Sequence, residues 1–514
     1  MRFHALMISC CSACFECEND AAYYAKESYT LLLNGKALGE RRENVFSLFD
    51  LAPDTDYTLS TLSGDFALPF HTRAQSACLP VRDFGAVGNG VADDTAAIQM
   101  AIDACPKDGR VTIAPGVYSI RPILLKSHIT LELQKGAALL GSTNEADYPV
   151  WPATAGRDAK GAPVVCAAWE GRAVPSHQAL LSAQHAEDIY IVGEGLLDGN
   201  AQNATWWMDP KKRTVGRPRM LFLNACRDVV MQGVTVQNSP SWNLHPYRCQ
   251  NVGFYDIRVR APKDSPNTDG CDPESCDGVS IIGARFSVGD DAIAIKSGKA
   301  GAGELVFPRA SRHTIRNCLM EFAHGAVVLG SEMSGGIDTL SVSQSLFVDT
   351  DRGLRIKTRR GRGKHAVIDG VSFSNIRMRG VRTPLVINMF YCCDADGKSD
   401  YVQSKEAQPI DEGTPYLGSF RFTDILCEDC HAAAGYFYGL PEQPIGSVYI
   451  ENASFRFAPD AQSDCPAMMC DIEPCKKQGL FFENVRDVRL KNVCIQGEEG
   501  ERVHLGNTDS FTEE

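Results

Sequence analysis

The sequence predicts an all-β fold, a parallel β-solenoid preceded by a small β-domain, and three observations lead there. First, a polar or turn-like start, a short alternating apolar run and a closing Asn, Asp or Gly recur along most of the chain. Copies stand at Glu187–Gly193, Arg227–Gly233, Asn251–Tyr255, Asp277–Ile281, Asp338–Val342, Gly370–Phe373, Gly446–Ile450 and Arg486–Leu490. Alternation of this kind marks strands, and the leading apolar residues Val229, Val252 and Val279 recur roughly every 25 residues, as in a chain that coils on itself. Second, long helical patterns are nearly absent after residue 110, which argues against βαβ units. Third, Asn267-Thr268-Asp269, Gly289-Asp290-Asp291, His324-Gly325 and Arg355-Ile356-Lys357 recur at a similar interval. Coiling would set three carboxylates, one imidazole and two cations side by side.

Composition bounds the function. At 514 residues, 44% of them hydrophobic, the chain can fill one large solenoid and a smaller domain. No apolar run reaches membrane-spanning length, so no membrane partner is expected. A net charge of −13 argues against nucleic acid and would repel any acidic polymer at long range. A polyanionic substrate would need a local cluster of cations. Lys211, Lys212, Arg213, Arg217 and Arg219 are one candidate, and Arg355, Lys357, Arg359, Arg360, Arg362 and Lys364 another. The opening run Met1–Cys11 lacks the pattern of a secretory signal, so a cytoplasmic location is expected, with secretion by a non-standard route as the alternative. The 20 cysteines are scattered, and Cys226, Cys318 and Cys494 sit in apolar runs as small core fillers do. Cys14/Cys17 and Cys427/Cys430 make Cys-x-x-Cys pairs, read here as reduced thiols rather than a metal site.

Along the chain, residues 1–76 form the expected small β-domain and 77–514 the solenoid. Leu51-Ala52-Pro53-Asp54-Thr55-Asp56-Tyr57 resembles the tyrosine-corner region of fibronectin type III domains, where a Tyr hydroxyl ties the corner to its own backbone. That predicts a fibronectin type III-like β-sandwich with a structural or spacing role. A linker is expected near 73–80. Asp94 or Thr95 is placed to cap a short helix whose Ala97, Ile98, Ala101 and Ile102 make one apolar stripe, a plug for the open end of the coil. The segment Val81–Thr95 with this helix resembles the entrance of pectin-degrading β-helix enzymes, a likeness shared by lyases, hydrolases and tailspikes. Insertions at 145–180 (Trp151, Trp169, Glu170, Arg172, His177) and 200–219 (Trp206, Trp207, Lys211, Lys212, Arg217, Arg219) place aromatics beside cations, which suits a cleft for acidic sugars.

Glycosidic hydrolysis needs one protonated carboxyl and one carboxylate, and Asp269, Asp290 and Asp291 can supply both. Adjacent Asp290 and Asp291 cannot point the same way in a regular strand, so a turn or bulge at Gly289 is expected. Clustered carboxylates raise one another's pKa, which keeps one protonated near neutrality.

Ser265-Pro266-Asn267-Thr268-Asp269-Gly270, Gly289–Gly298, Ala323-His324-Gly325 and Arg355-Ile356-Lys357 together resemble the four signatures of glycoside hydrolase family 28, the polygalacturonases. The resemblance runs from Val81 to the C-terminus. It implies a right-handed parallel β-helix, no cofactor or metal, and hydrolysis of α-1,4-galacturonosidic bonds in pectin fragments with inversion. Position by position, it implies Asp290 as general acid, Asp269 and Asp291 as activators of water, and His324 as support for the acid's protonation. Arg355 and Lys357 would hold a galacturonate carboxylate, Asn267 would orient its neighbours and Tyr391 would line the leaving-group side. Lys296, Trp207 and Arg219 are further expected substrate contacts. Ala292 and Ala323 depart from the usual pattern without altering charge. Lys296, the Trp206-Trp207 insertion, Gly353-Leu354-Arg355 with its Arg-rich continuation and the N-terminal domain resemble bacterial exo-acting polygalacturonases, which implies attack on oligogalacturonate from the non-reducing end. The alternatives are endo action, or a related hydrolase acting on rhamnogalacturonan or xylogalacturonan.

Overall fold

A computed structural model describes residues 2–158, 161, 163–301 and 307–514. Met1 of the opening run and positions 159, 160 and 162 of the first insertion lie outside the described residues. The chain from residue 78 onward is a parallel β-helix, right-handed as the resemblance implied. One face is a 24-stranded parallel sheet to which most coils give two strands. The opposite face takes one strand per coil, from Ile123–Leu124 through Leu244–Tyr247, then residues 271–274, then Ile293–Ile295 through Val503–Gly506.

The repeats found in the sequence are the coils. Ile189, Val229, Val252 and Val279 stack in one inward column, and Leu340, Val371, Val448 and Val488 continue it. The polar start of each repeat has a backbone cause. Asp188, Asp228, Asn251, Gly278, Thr339 and Gly370 all adopt left-handed φ just before the column residue, a conformation that Asn, Asp and Gly tolerate best. The coil through Ala310–Arg316 escaped the sequence reading because it puts His313 in this apolar column. Burial pushes the His313 imidazole down to about 4, so it sits there neutral.

Thr95–Ala104 is the expected helix, with Ala97, Ile98, Ala101 and Ile102 buried over the first coil. The cap differs from expectation. Asp94 stands at the N-cap but its carboxylate accepts the Val87 and Gly88 amides at 2.6 and 3.0 Å, holding the preceding loop.

The N-terminal segment forms two antiparallel sheets, one of three and one of four strands. They enclose their own core, including Phe15, Leu31, Phe46, Leu59 and Phe70. Tyr57 makes the tyrosine-corner bond, its hydroxyl accepting the Ala52 N–H at 2.8 Å. The expected linker is not a free tether. Cys78–Pro80 is already a strand of the first coil, and Arg73 donates through both terminal nitrogens to Asp188 at 3.0 and 3.2 Å. The sandwich lies flat on the large sheet through Met7, Cys14, Val45, Val192 and Ile282. A Cβ at Gly233 would come within 2.3 Å of Phe49, and one at Gly283 within 2.4 Å of Val45. All 20 cysteines are free. Cys226 and Cys318 are buried fillers as expected, whereas Cys494 is exposed because it points outward from its strand.

Glu16 is the polar centre of the contact. Buried, it accepts from Arg316 at 2.7 and 2.6 Å and from Asn317 at 2.7 Å. Glu16→Ala would leave those donors without an acceptor, and urea titration should show a loss of about 3 kcal/mol of stability.

Candidate functional site

The single-strand face builds the site because its residues alternate inward and outward. In Arg352–Lys357, Leu354 and Ile356 enter the core while Arg355 and Lys357 point out. Parallel register stacks the outward residues in columns about 4.8 Å apart. Tyr247, Glu274 and Lys296 fall in one column, which continues with Gly330, Lys357 and Asn388. Asp269, Asp290, Asp291 and His324 lie in the turns that feed the neighbouring coils of this sheet, as the spacing predicted. Gly289 provides the bend, packed so closely on the Pro262 and Ser265 carbonyls that a Cβ would fall 2.5 and 2.6 Å from them.

Asp269, Asp290 and Asp291 each bring a carboxylate oxygen to within 4.8 Å of the others. Their surroundings make them unequal. Asp291 is buried, accepting from Lys357 Nζ at 2.7 Å and from Arg355 Nη1 at 3.2 Å. Burial alone would raise its pKa, but the two cations outweigh it and hold the carboxyl well below the usual range. Asp269 is buried with Oδ1 unpartnered among the described residues. Burial, then the neighbouring Asp272 and Asp290, push it well above the usual range. Asp290 is half-buried at the rim, with Oδ1 3.3 Å from His324 Nδ1. That contact raises the imidazole's pKa against the effect of its own burial. Asp269 is therefore the member that favours its proton, and Asp291 the one held ionised. The spacing would also suit a cation, but Arg355 and Lys357 already bring two positive charges to it. Asp108, His128 and Asp188 form a second such group, where Arg73 takes the same part.

The other expected contacts divide. Tyr391 is half-buried, its ring 5.9 Å from Lys357 Nζ. Asn267, at φ 55°, accepts from Arg217 Nη2 at 2.6 Å. Lys296 is buried, its Nζ 3.3 Å from Glu332 and 3.4 Å from Asp272, over the Trp242 ring. It faces buried acids rather than an open cleft. Burial would discharge the ammonium, but Glu332 and Asp272 keep it charged. Arg219 is buried between the Trp169 and Trp242 rings, at 4.7 and 5.3 Å, and donates to the Ala168 carbonyl. It supports a stacked pair of indoles 5.0 Å apart and is closed to a ligand. Trp207 packs on the solenoid core and donates to the Ser239 carbonyl at 3.1 Å. Its neighbour Trp206 is fully buried. Trp206 serves the scaffold, whereas Trp207 keeps part of its ring exposed.

The Arg-rich run is a second correction. Arg359, Arg360 and Arg362 are buried and neutralised within the fold. Arg359 pairs with Asp394 and Asp396, Arg360 with Glu442, and Arg362 with Asp394. They tie down loops, leaving Arg355 and Lys357 as the members of the run that reach the acids, while Lys364 is exposed and pairs with Glu412. Sequence reasoning missed Trp242, Glu332, Asp272 and Met468. Met468 comes from the 458–477 loop, touching Arg355 through its sulfur and accepting from Asn388 Nδ2 at 3.0 Å. Its place depends on a loop distant in sequence, and no motif marks it.

Asp394 also accepts from Lys299 Nζ at 2.5 Å, so a single carboxylate balances three cations. Asp394→Ala should lower stability by about 3 kcal/mol in urea denaturation, with the acid trio intact.

A profile of glycosyl hydrolases family 28 matches residues 164–405, and one for rhamnogalacturonase A/epimerase, pectate lyase-like proteins matches 79–160. A probable polygalacturonase of Vitis vinifera is 30% identical over 414 residues, 78% of each chain. The exo-poly-alpha-D-galacturonosidase of Dickeya chrysanthemi is 27% identical over 86% of this chain and 78% of its own length. Among solved structures, the family 28 exopolygalacturonase of Yersinia enterocolitica superposes with a TM-score of 0.72 at 20% identity, over 100% of this chain and 98% of that one. The exopolygalacturonase of Thermotoga maritima gives 0.65 at 24% identity, over 82% and 93%. By its coiled fold, its acid cluster and this extent of likeness, the chain belongs to glycosyl hydrolases family 28.

Proposed function

We propose that this enzyme hydrolyses α-1,4-galacturonosidic bonds in galacturonan and its oligomers, releasing product from the non-reducing end. The observation that carries this reading is the acid trio gathered within 4.8 Å, with Arg355 and Lys357 held on one member. In a uronate polymer every ring carries a carboxylate, and these two cations are placed to hold one beside the bond that breaks, Arg355 as a fork and Lys357 as a point charge. Asp290, at the rim, gives its proton to the leaving oxygen, and His324 returns one. Asp269 and Asp291 frame the water. A bound uronate shares the two cations, which frees Asp291 to act as a base.

The short separation of the acids resembles that of retaining glycosidases, roughly 5 Å. Single displacement is favoured here because a third carboxylate is present, so that two acids can hold water while the other protonates the leaving oxygen. Proton NMR of the first product should show the β-anomer; an initial α-anomer would refute inversion. Asp290→Asn should lower kcat by about 10³-fold with substrate binding retained.

Exo action is supported by the hairpin of Ala168–Trp169 and Arg172–Ala173. Its tip reaches across to the coil that follows Lys296, where the Gly171 carbonyl accepts the Lys299 N–H at 2.9 Å. A Cβ on Gly171 would lie 2.9 Å from Glu332 Cγ, so the tip packs on the acid that pairs with Lys296. A cleft closed at that end admits a chain terminus. With oligogalacturonate of defined length, mono- or digalacturonate should be the earliest product, whereas a spread of intermediate lengths would establish endo action.

The pH dependence follows from His324. Its raised pKa means the imidazolium persists above the ordinary value of about 6.5 and is lost as pH rises through the raised one. Any stability from the His324–Asp290 contact is likewise complete below the ordinary value and lost on the alkaline side. The alkaline limb of kcat/KM should therefore move to lower pH in His324→Gln, with the acid limb unmoved.

A further inference from the structure

A groove of about 520 Å3 runs along the outside of the coils just before the catalytic turns. It is lined by Gln237, Arg260, Pro262, Arg285, Glu321 and Phe322. Arg258 and Arg260 point outward from one strand, with buried Val259 between them. Parallel register puts Arg258 directly opposite Arg285, although like charges in that position repel. Lys263 closes the rim, its Nζ 5.6 Å from the centre of the Phe322 ring. Glu321 is the one acid in the lining, and it is taken by Arg285 at 2.9 Å. In a chain of net charge −13, this surface is locally basic.

Phe322 sharpens the case. In the corresponding turns of other coils the left-handed position is held by Asn238, Asp349 and Gly380, at φ 52°, 53° and 67°. Here a phenylalanine adopts φ 62° and stands 41% exposed. A bulky residue in that conformation is uncommon, and an exposed one gains little from packing. It lies two residues before His324, and the 262–265 turn packs on Gly289, the residue before Asp290. The groove is thus the outer wall of the catalytic turns.

We propose that this groove is a second binding site for an acidic polysaccharide strand, with Arg258, Arg260 and Lys263 meeting its carboxylates and Phe322 stacking on a sugar face. The proposal rests on the uronate reading of the catalytic site and adds to it the place where polymer outside the cleft is held. It also accounts for how an acidic enzyme retains an acidic polymer when the Arg-rich run near 360 is turned inward.

The test compares the whole chain with the triple variant Arg258→Gln, Arg260→Gln, Lys263→Gln and with Phe322→Asn, which restores the residue type of the neighbouring turns. Trigalacturonate is the short substrate and long-chain polygalacturonate the polymer, both at low salt. In the triple variant, KM for polymer should rise about tenfold with trigalacturonate kinetics within about twofold, which also shows that the variant folds. Phe322→Asn should raise KM for polymer to a smaller degree. Native electrophoresis through gels containing polygalacturonate reads binding without turnover, and retardation should fall in the triple variant and weaken with salt. Unchanged polymer KM and unchanged retardation would overturn the proposal. Failure of the unaltered chain to cleave either substrate would overturn the catalytic reading, while retardation would still decide the groove.

Discussion

Parallel register is the constraint on which the site depends. Each outward side chain on the single-strand face lies over its counterpart one coil away, so a charge at one level must be answered at the next. The column through Glu274, Lys296, Gly330 and Lys357 obeys this by alternating sign and leaving a gap. Stacked coils also explain how residues far apart in sequence meet without long excursions of the chain. Asp291 and Lys357 are separated by two coils and still touch at 2.7 Å.

Within that frame, three chemically identical carboxyl groups are made different by their neighbours. Two cations pull Asp291 down, burial beside other acids pushes Asp269 up, and an imidazole attends Asp290. Division of labour between carboxylates is the general route by which glycosidases obtain an acid and a base from one residue type. A further set of buried groups, Lys296, Glu332, Asp272, Glu274 and His245, lies behind the trio. Burial pushes Glu274 and Asp272 up to about 7, while Glu332 and Lys296 hold each other charged.

Much of this was legible in the sequence because a solenoid turns local pattern directly into tertiary position. Val229, Val252 and Val279 predicted a column and form one. The catalytic motifs needed only the coil period to be brought together. What failed depended on information that period does not carry. Arg219 and Arg359 look like cleft residues in sequence, yet each folds inward because a partner from another loop receives it. Those partners, Ala168 and Asp394, are fixed by loop geometry rather than by repeat. Met468 was hidden for the same reason. His313 concealed an entire coil, since a neutral buried imidazole reads as polar until its surroundings are known.

The sandwich on the large sheet has a mechanical consequence. A stack in which each repeat touches only its neighbours can open from either end, one layer at a time. Here successive layers are fastened to a single outside body through Val192, Gln232, Ile282, Asn317, Gln344 and Asn375. Peeling one of them away means detaching it from that brace as well as from the next layer. The brace therefore couples the layers that carry Asp269 through Lys357, so the catalytic region yields together or not at all.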